Sequence, residues 1–282
     1  MLQPVTHLSQ PWKAGASYIA PGTTNTGCRL HMAAAPGALA YAMLSESGML
    51  QAAQTFYPTV FEAQKLPDAS LIVELLDQLK HAAGQSPLFA RLVVYSPAMT
   101  LLPASASGPL PAQWWQEHFA GHNNHSSLRK ALLPDPDYEL WYSLPSAFAD
   151  GLALATDPEI RHALQPLASA ATETHVCVRA DFCGHNLLLI ACGDQKLLFA
   201  NQFRFEHTND VVYLILALYH QQRLANDQVP LILSGDIMEN SAIVQLLRRY
   251  VRHLTFASLP FGVTVPRDYP LPLHFFYTLL AV

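Results

Sequence analysis

Charge is scarce in this chain. Asp, Glu, Lys and Arg make up 13% of its 282 residues, and the formal net charge is −5. No run of Lys or Arg exists, so nucleic acid and anionic membrane surfaces are not expected partners. Long apolar runs are lacking too. The longest, Val211 to Tyr219, is far short of the ~20 residues a membrane helix needs. The opening MLQPVTHLSQPWKAG has no basic start leading into an apolar core, so no secretion signal is expected there. The four cysteines, at 28, 177, 183 and 192, contain no CxxC pair. They predict reduced, buried thiols of a cytoplasmic protein, with a Cys177–Cys183 redox pair as the functional alternative. GxSxG, Walker and HExxH motifs are all missing, which removes the commonest hydrolase, P-loop and zinc-protease signatures.

What the chain does have is apolar residues, 51% of the total, ample for two domains of ordinary size. Residues 174–258 read as one unit. HVCVRAD (175–181), NLLLIAC (186–192) and KLLFANQFRF (196–205) are strands joined by gaps short enough for hairpins. NDVVYLILALYHQQRL (209–224) is a buried helix, with Leu214, Ile215 and Leu218 expected against a sheet. PLILSG (230–235) is a central strand, ENSAIVQLLRRYVRH (239–253) a second helix and LTFAS (254–258) a last strand.

The first half repeats that order. Strands at 28–34, 38–44 and 49–57 precede a helix at 68–82 and a strand at 89–96. Then come a turn-rich connection over 97–111, a helix opening at 112–122 and a strand at 138–144. Matching elements start near 28 and 175, near 68 and 209, and near 89 and 230. An internal duplication explains this spacing. The expected organisation is a loose lead-in over 1–25, a first lobe over 26–144, short helices over 145–172 and a second lobe over 173–282. Each lobe is expected to hold a mixed five-stranded sheet flanked by helices.

This repeated plan resembles that of the actin-like ATPases, an RNase H-like fold. Leu198-Phe199-Ala200-Asn201-Gln202-Phe203 followed by Asp210, Tyr213 and Leu214 is more specific. So are LILSGDI (231–237), LLRRY (246–250) and Thr100-Leu101-Leu102-Pro103. On these the chain resembles an uncharacterised bacterial family, domain-of-unknown-function family 3822. The resemblance implies an actin-like fold without an assigned activity.

An actin-like ancestry implies a nucleotide cleft built from three turns. Ala35-Pro36-Gly37 has no carboxylate, and Pro36 lacks an N–H for a phosphate. Asp181-Phe182-Cys183-Gly184 keeps one acid and one glycine, although a solvated hairpin Asp is the simpler reading. Ser234-Gly235-Asp236 keeps one glycine and could meet an anion through backbone N–H groups. The nucleotide-binding candidates are therefore Gly37, Asp181, Gly184, Ser234, Gly235 and Asp236. The three turns are expected to face one another, with Asp181 as the only acid near the centre and Asp181→Asn nearly silent for folding. No cofactor and no metal are expected, with Mg-ATP as the alternative.

Elsewhere, His118, His122 and His125 have helical spacing for a metal, but Gly121 and Asn123-Asn124 predict a solvated loop. Trp114 and Trp115 point about 100° apart on a helix, one toward the core and one outward. Arg248, Arg249 and Arg252 read as a solvated face. Two functions from different classes are open to such a chain. The first is a non-catalytic interaction or scaffold module with a protein partner. The second is an ATPase or small-molecule kinase using Asp181. An RNase H-type nuclease would need several clustered acids, and only Asp181 offers itself.

Overall fold

A computed structural model describes residues 5, 8, 12–21, 27–59, 65–83, 88–96, 98–106, 126–155, 158–172 and 176–281. The expected helix at 112–122, with Trp114, Trp115, His118, His122 and His125, lies outside these residues. The protein is mixed α/β. One sheet holds strands β1 (Trp12–Ile19), β2 (Arg29–Ala35), β3 (Ala38–Leu44), β4 (Leu50–Pro58), β5 (Leu88–Val94) and β9 (Glu159–His162). Its order is β1-β4-β3-β2-β5-β9. A second holds β10 (Cys177–Cys183), β11 (Asn186–Gly193), β12 (Lys196–Arg204), β13 (Leu231–Gly235) and β14 (Leu254–Phe256), in the order β12-β11-β10-β13-β14. In each, two antiparallel hairpins feed two parallel strands. Setting β1 aside, both sheets run third, second, first, fourth, fifth.

Strand composition explains this layout. β2 (RLHMAAA) and β3 (ALAYAML) carry small and apolar side chains on both faces, and all but Arg29 are buried. β11 is buried along its whole length. Such strands suit the centre of a covered sheet. Helix α1 (Ala69–Ala83) lies against the first sheet through Leu71, Ile72, Leu75, Leu76 and Leu79, and meets α2 (Ser146–Ala155). Helix α4 (Thr208–Gln221) buries Val211, Val212, Ile215, Leu218 and Tyr219 in a separate core beneath the second sheet. Asp210 folds back onto the backbone N–H groups of Glu206 and His207 to open that helix. Leu214 is only half-buried, because it stands on the flank of the helix and not on its floor.

Several expectations need correction. Part of the lead-in is ordered: β1 pairs antiparallel with β4 and buries Tyr18. The first sheet therefore has six strands, not five. The strand at 138–144 is β8 (Tyr138–Pro145), but it does not close that sheet. It is the middle of a third, antiparallel sheet, β6-β8-β7, with β6 (Met99–Pro103) inside the supposed turn-rich connection and β7 (Ser126–Leu132). The fifth position belongs to β9, in a stretch expected to be helical. Four residues, EIRH, are too few to show a period, and the helical signal came from α3 (Leu164–Thr172) just beyond. The helix expected over 239–253 is a short α5 (Ala242–Leu247), capped by Ser241, whose hydroxyl accepts from Val244 N–H. Val251 is still buried, at the end of a turn and not of a helix. Among the described residues no helix is long and apolar enough to cross a membrane.

Residues 257–281 tie the two large sheets together. After β14 the chain leaves the second sheet and crosses to the first. There Leu50 N–H donates to Thr264 O at 2.9 Å, and Tyr269 packs edge-on to Tyr18 at 4.9 Å. It then turns back between the sheets, where Phe275–Leu280 are all buried. The last turn, α6 (Tyr277–Leu280), touches β2, β3 and β13.

Candidate functional site

The cleft between the sheets is built from the ends of paired strands. β10 and β13 run parallel with Asp181 opposite Ser234 and Phe182 opposite Gly235. That register sets the hydroxyl of Ser234 beside the carboxylate, 2.5 Å from Oδ1. Gly235 has φ +80°, and a Cβ there would strike the Phe182 backbone. The chain is thereby turned so that Asp236 N–H donates to Phe182 O at 2.8 Å.

The three predicted turns do meet. Asn186 donates to Pro36 O at 2.8 Å, and a Cβ on Gly184 would lie 3.3 Å from Ala38 Cβ and 3.5 Å from Gly37 O. Tyr57, at the end of β4, donates to Asp236 Oδ2. Tyr95, just past β5, donates to Asp181 Oδ2 at 2.5 Å. Asp181 and Asp236 are thus each held by a tyrosine from the first sheet's side.

Asp181 is fully buried, not a solvated turn residue. It lies within β10, not in the hairpin turn, because the strand runs two residues further than its apolar pattern suggests. Besides Tyr95 and Ser234 it accepts from Thr278 of the tail at 2.7 Å. Three hydroxyl donors use most of the about four acceptor sites a carboxylate has. Burial pushes its carboxyl above the ordinary range, against the opposing pull of Ser234, Tyr95 and Thr278. Asp236 is a second acid at the cleft, contrary to the expectation of one. Burial raises it too, opposed by Tyr57.

The tail occupies the space between them. Gly235 N–H donates to His274 O at 2.9 Å, and His274 Nε2 meets Ile237 O at 2.8 Å. His31 Nδ1, from the centre of β2, meets Leu279 O at 3.0 Å. Arg179 lies 5.6 Å from the centre of the Tyr277 ring. What is left open is small. A hollow of about 270 Å³ sits at the mouth, among Pro36, Gly37, Tyr57, Gly184 and Asp236. A remnant of about 30 Å³ lies beneath it, against Phe276 and Thr278. Among the described residues no three of His, Cys, Asp and Glu are grouped to hold a metal ion.

Tyr57, Tyr95, Asn186 and Thr278 carry this site, and no sequence pattern singles them out. They stand 86 to 179 positions from the acids and turns they contact, with no motif around them. The nearest thing to a signal in the sequence is the apolar and aromatic stretch His274–Val282, whose composition suits an interface or a final strand and which instead forms the short α6.

Comparison with known proteins agrees with the fold. Residues 26–254 match the family model described as "Protein of unknown function (DUF3822)". A Bacteroides thetaiotaomicron protein described as having an actin-like ATPase fold and unknown function superposes with a TM-score of 0.64 at 11% identity, covering 85% of this chain and 94% of that one. The PilM–PilN type IV pilus biogenesis complex gives 0.58 at 14% identity, over 90% and 96%. Comparison with curated protein sequences gives no match. The fold is the actin-like one.

Proposed function

We propose that this chain, which belongs to the DUF3822 family, is a two-lobed actin-like module that acts by binding another protein and does no chemistry in its cleft. The shared strand order of the two large sheets supports descent from a duplicated unit, with the first lobe running on through β9. The observation that carries the reading is the tail. Thr278 and Tyr95 donate to Asp181, and α6 fills the gap between β2 and β13. In an actin-like ATPase that gap would need to admit nucleotide and a hydrated metal. The residues here do not fit such a group. The first turn has no carboxylate, Pro36 O is taken by Asn186, and Asp181 is spent on hydroxyls. The mouth, at about 270 Å³, is below the roughly 300–1,000 Å³ of small-molecule sites. PilM, named in a complex with PilN, is a precedent for this fold as one member of a protein pair.

A second reading, an ATP-binding ATPase or small-molecule kinase, draws on Asp236 as a second cleft acid. Thermal unfolding with and without Mg-ATP separates the two. A ligand at 100 times its Kd would add about 2.7 kcal/mol. No shift is expected at millimolar nucleotide. A saturable shift accompanied by ATP hydrolysis would install the enzyme. The positive arm is capture with the full chain as bait, then reconstitution of the purified pair as a complex of fixed stoichiometry. A chain that elutes alone beside every purified candidate removes the interaction reading.

A further inference from the structure

A second hollow, of about 510 Å³, opens away from the cleft turns. It lies between β7, an edge strand of the small sheet, and β9, an edge strand of the six-stranded sheet, with α3 as its third wall. Its volume is in the usual range for a small-molecule site. Its lining is charged in one sense. Arg129, Lys130 and Arg161 face one carboxylate, Glu159, in a chain whose net charge is −5.

Two of these cations are already committed. Lys130 pairs with Glu139 at 2.6 Å and lies 5.7 Å from the Trp141 ring centre. Arg161 pairs with Glu159 at 2.7 Å, whose other oxygen takes Arg91 at 2.9 Å. Glu159 is thereby shared between two guanidinium groups, with both oxygens engaged. Arg129 is the remainder. It stands opposite the buried Tyr142 in the β7–β8 register, and its Nε is buried with no hydrogen-bond partner. Among the described residues no acid pairs with it. Arg129 as a whole is half-buried, so its charged end can still be reached from the hollow, while the buried Nε–H is a donor that is ordinarily hydrogen-bonded. The planar fork of Arg matches carboxylate or phosphate through two parallel hydrogen bonds.

We propose that this hollow binds a small metabolite bearing an oxyanion, a carboxylate or a phosphate, with Arg129 gripping the anionic group and Arg161 beside it. The ligand would also touch Ala281, the residue that follows α6. The site uses none of the cleft's acids or tyrosines, so its presence or absence is independent of whether nucleotide binds.

The test uses the full chain and two probes, sodium citrate and sodium phosphate, each against sodium chloride of equal ionic strength. Calorimetric titration and thermal unfolding are the readouts. A saturable response to either probe is expected, citrate alone marking a carboxylate ligand and phosphate alone a phosphate ligand. Arg129→Gln should weaken binding by about tenfold or more, the loss expected for a charged hydrogen-bonding partner. Arg129→Lys, which keeps the charge and loses the fork, should also weaken it and serves if the Gln variant does not fold. Arg161→Gln should weaken it less. No saturable response to either probe overturns the site, and so does an unchanged Kd in a folded Arg129 variant.

Discussion

If Asp181 and the tail act as one lock, substitutions in the two should not add. Thr278→Val removes one of three hydroxyl donors while keeping the side chain's shape. Ser234 still donates to the same carboxylate oxygen, so no acceptor is stranded. The cost is expected at about 1–2 kcal/mol, the net value of a buried hydrogen bond to a polar acceptor. Asp181→Asn is a harder change. One acceptor oxygen becomes an amide donor in a site where every neighbour presented is a hydroxyl donor, Tyr95 on one side and Ser234 and Thr278 on the other. The hydroxyls must turn to accept, at a cost of about 1–3 kcal/mol. This replaces the sequence-based expectation that Asp181→Asn would be nearly silent. In the double variant the side chain at position 278 has no hydroxyl to lose, so a coupling of about 0.5–3 kcal/mol should appear. Urea unfolding of the full chain, single variants and double variant, measures it. Additivity within about 0.5 kcal/mol would show that tail and acid are not one unit and would refute the lock.

The same packing makes other outcomes measurable. His162 is wholly buried, its Nε2 meets Ser96 O at 3.3 Å, and burial lowers its pKa from 6.5 to about 4. The unfolded chain therefore binds the proton first. Stability from this group is complete above about pH 6.5 and is lost as pH falls toward 4, up to about 3 kcal/mol at ~1.4 kcal/mol per tenfold change in proton affinity. Urea midpoints that stay flat between those pH values, or a slope unchanged in His162→Gln, would contradict it. Ile215→Ala should cost about 2–5 kcal/mol and Tyr213→Ala, on the exposed side of α4, about 0.5 kcal/mol or less, as read by chemical denaturation. Gly235→Ala should destabilise by about 1–3 kcal/mol, because its φ of +80° and the Phe182 backbone both oppose a Cβ; an unchanged melting temperature would show that the turn yields freely.

The order of elements was legible because β3 is wholly apolar and β2, β10 and β11 are mostly so, and because short turns mark their hairpins. Ile215 and Leu218 were legible as core because their helix is apolar nearly all round, but for the same reason nothing set Leu214, which is half-buried, apart from them. The small third sheet was not. β6 and β7 sit in Pro- and Ser-containing sequence, and their pairing with β8 satisfies backbone groups that no local pattern announces. β9 is four residues long and polar, so only the parallel neighbour β5 makes it a strand. At the cleft, Gly184, Gly235 and Asp181 could be named from turn chemistry and from resemblance. Asp181's burial could not, because it depends on Tyr95 and Thr278, which reach it only through the assembled fold.

The path of the tail also sets a timetable. His31 is part of an early strand, yet the carbonyl it meets belongs to Leu279, 248 positions later. At roughly 5–20 residues per second, synthesis of that interval takes on the order of 12 to 50 s. For that time β2 and β3 lack the aromatic segment that will cover them. Loop closure over so long an interval is also among the slowest contacts for a chain to make. Of the parts that form the cleft, the tail that seals it is thus the last to be made, and the surfaces it covers are synthesised before their cover.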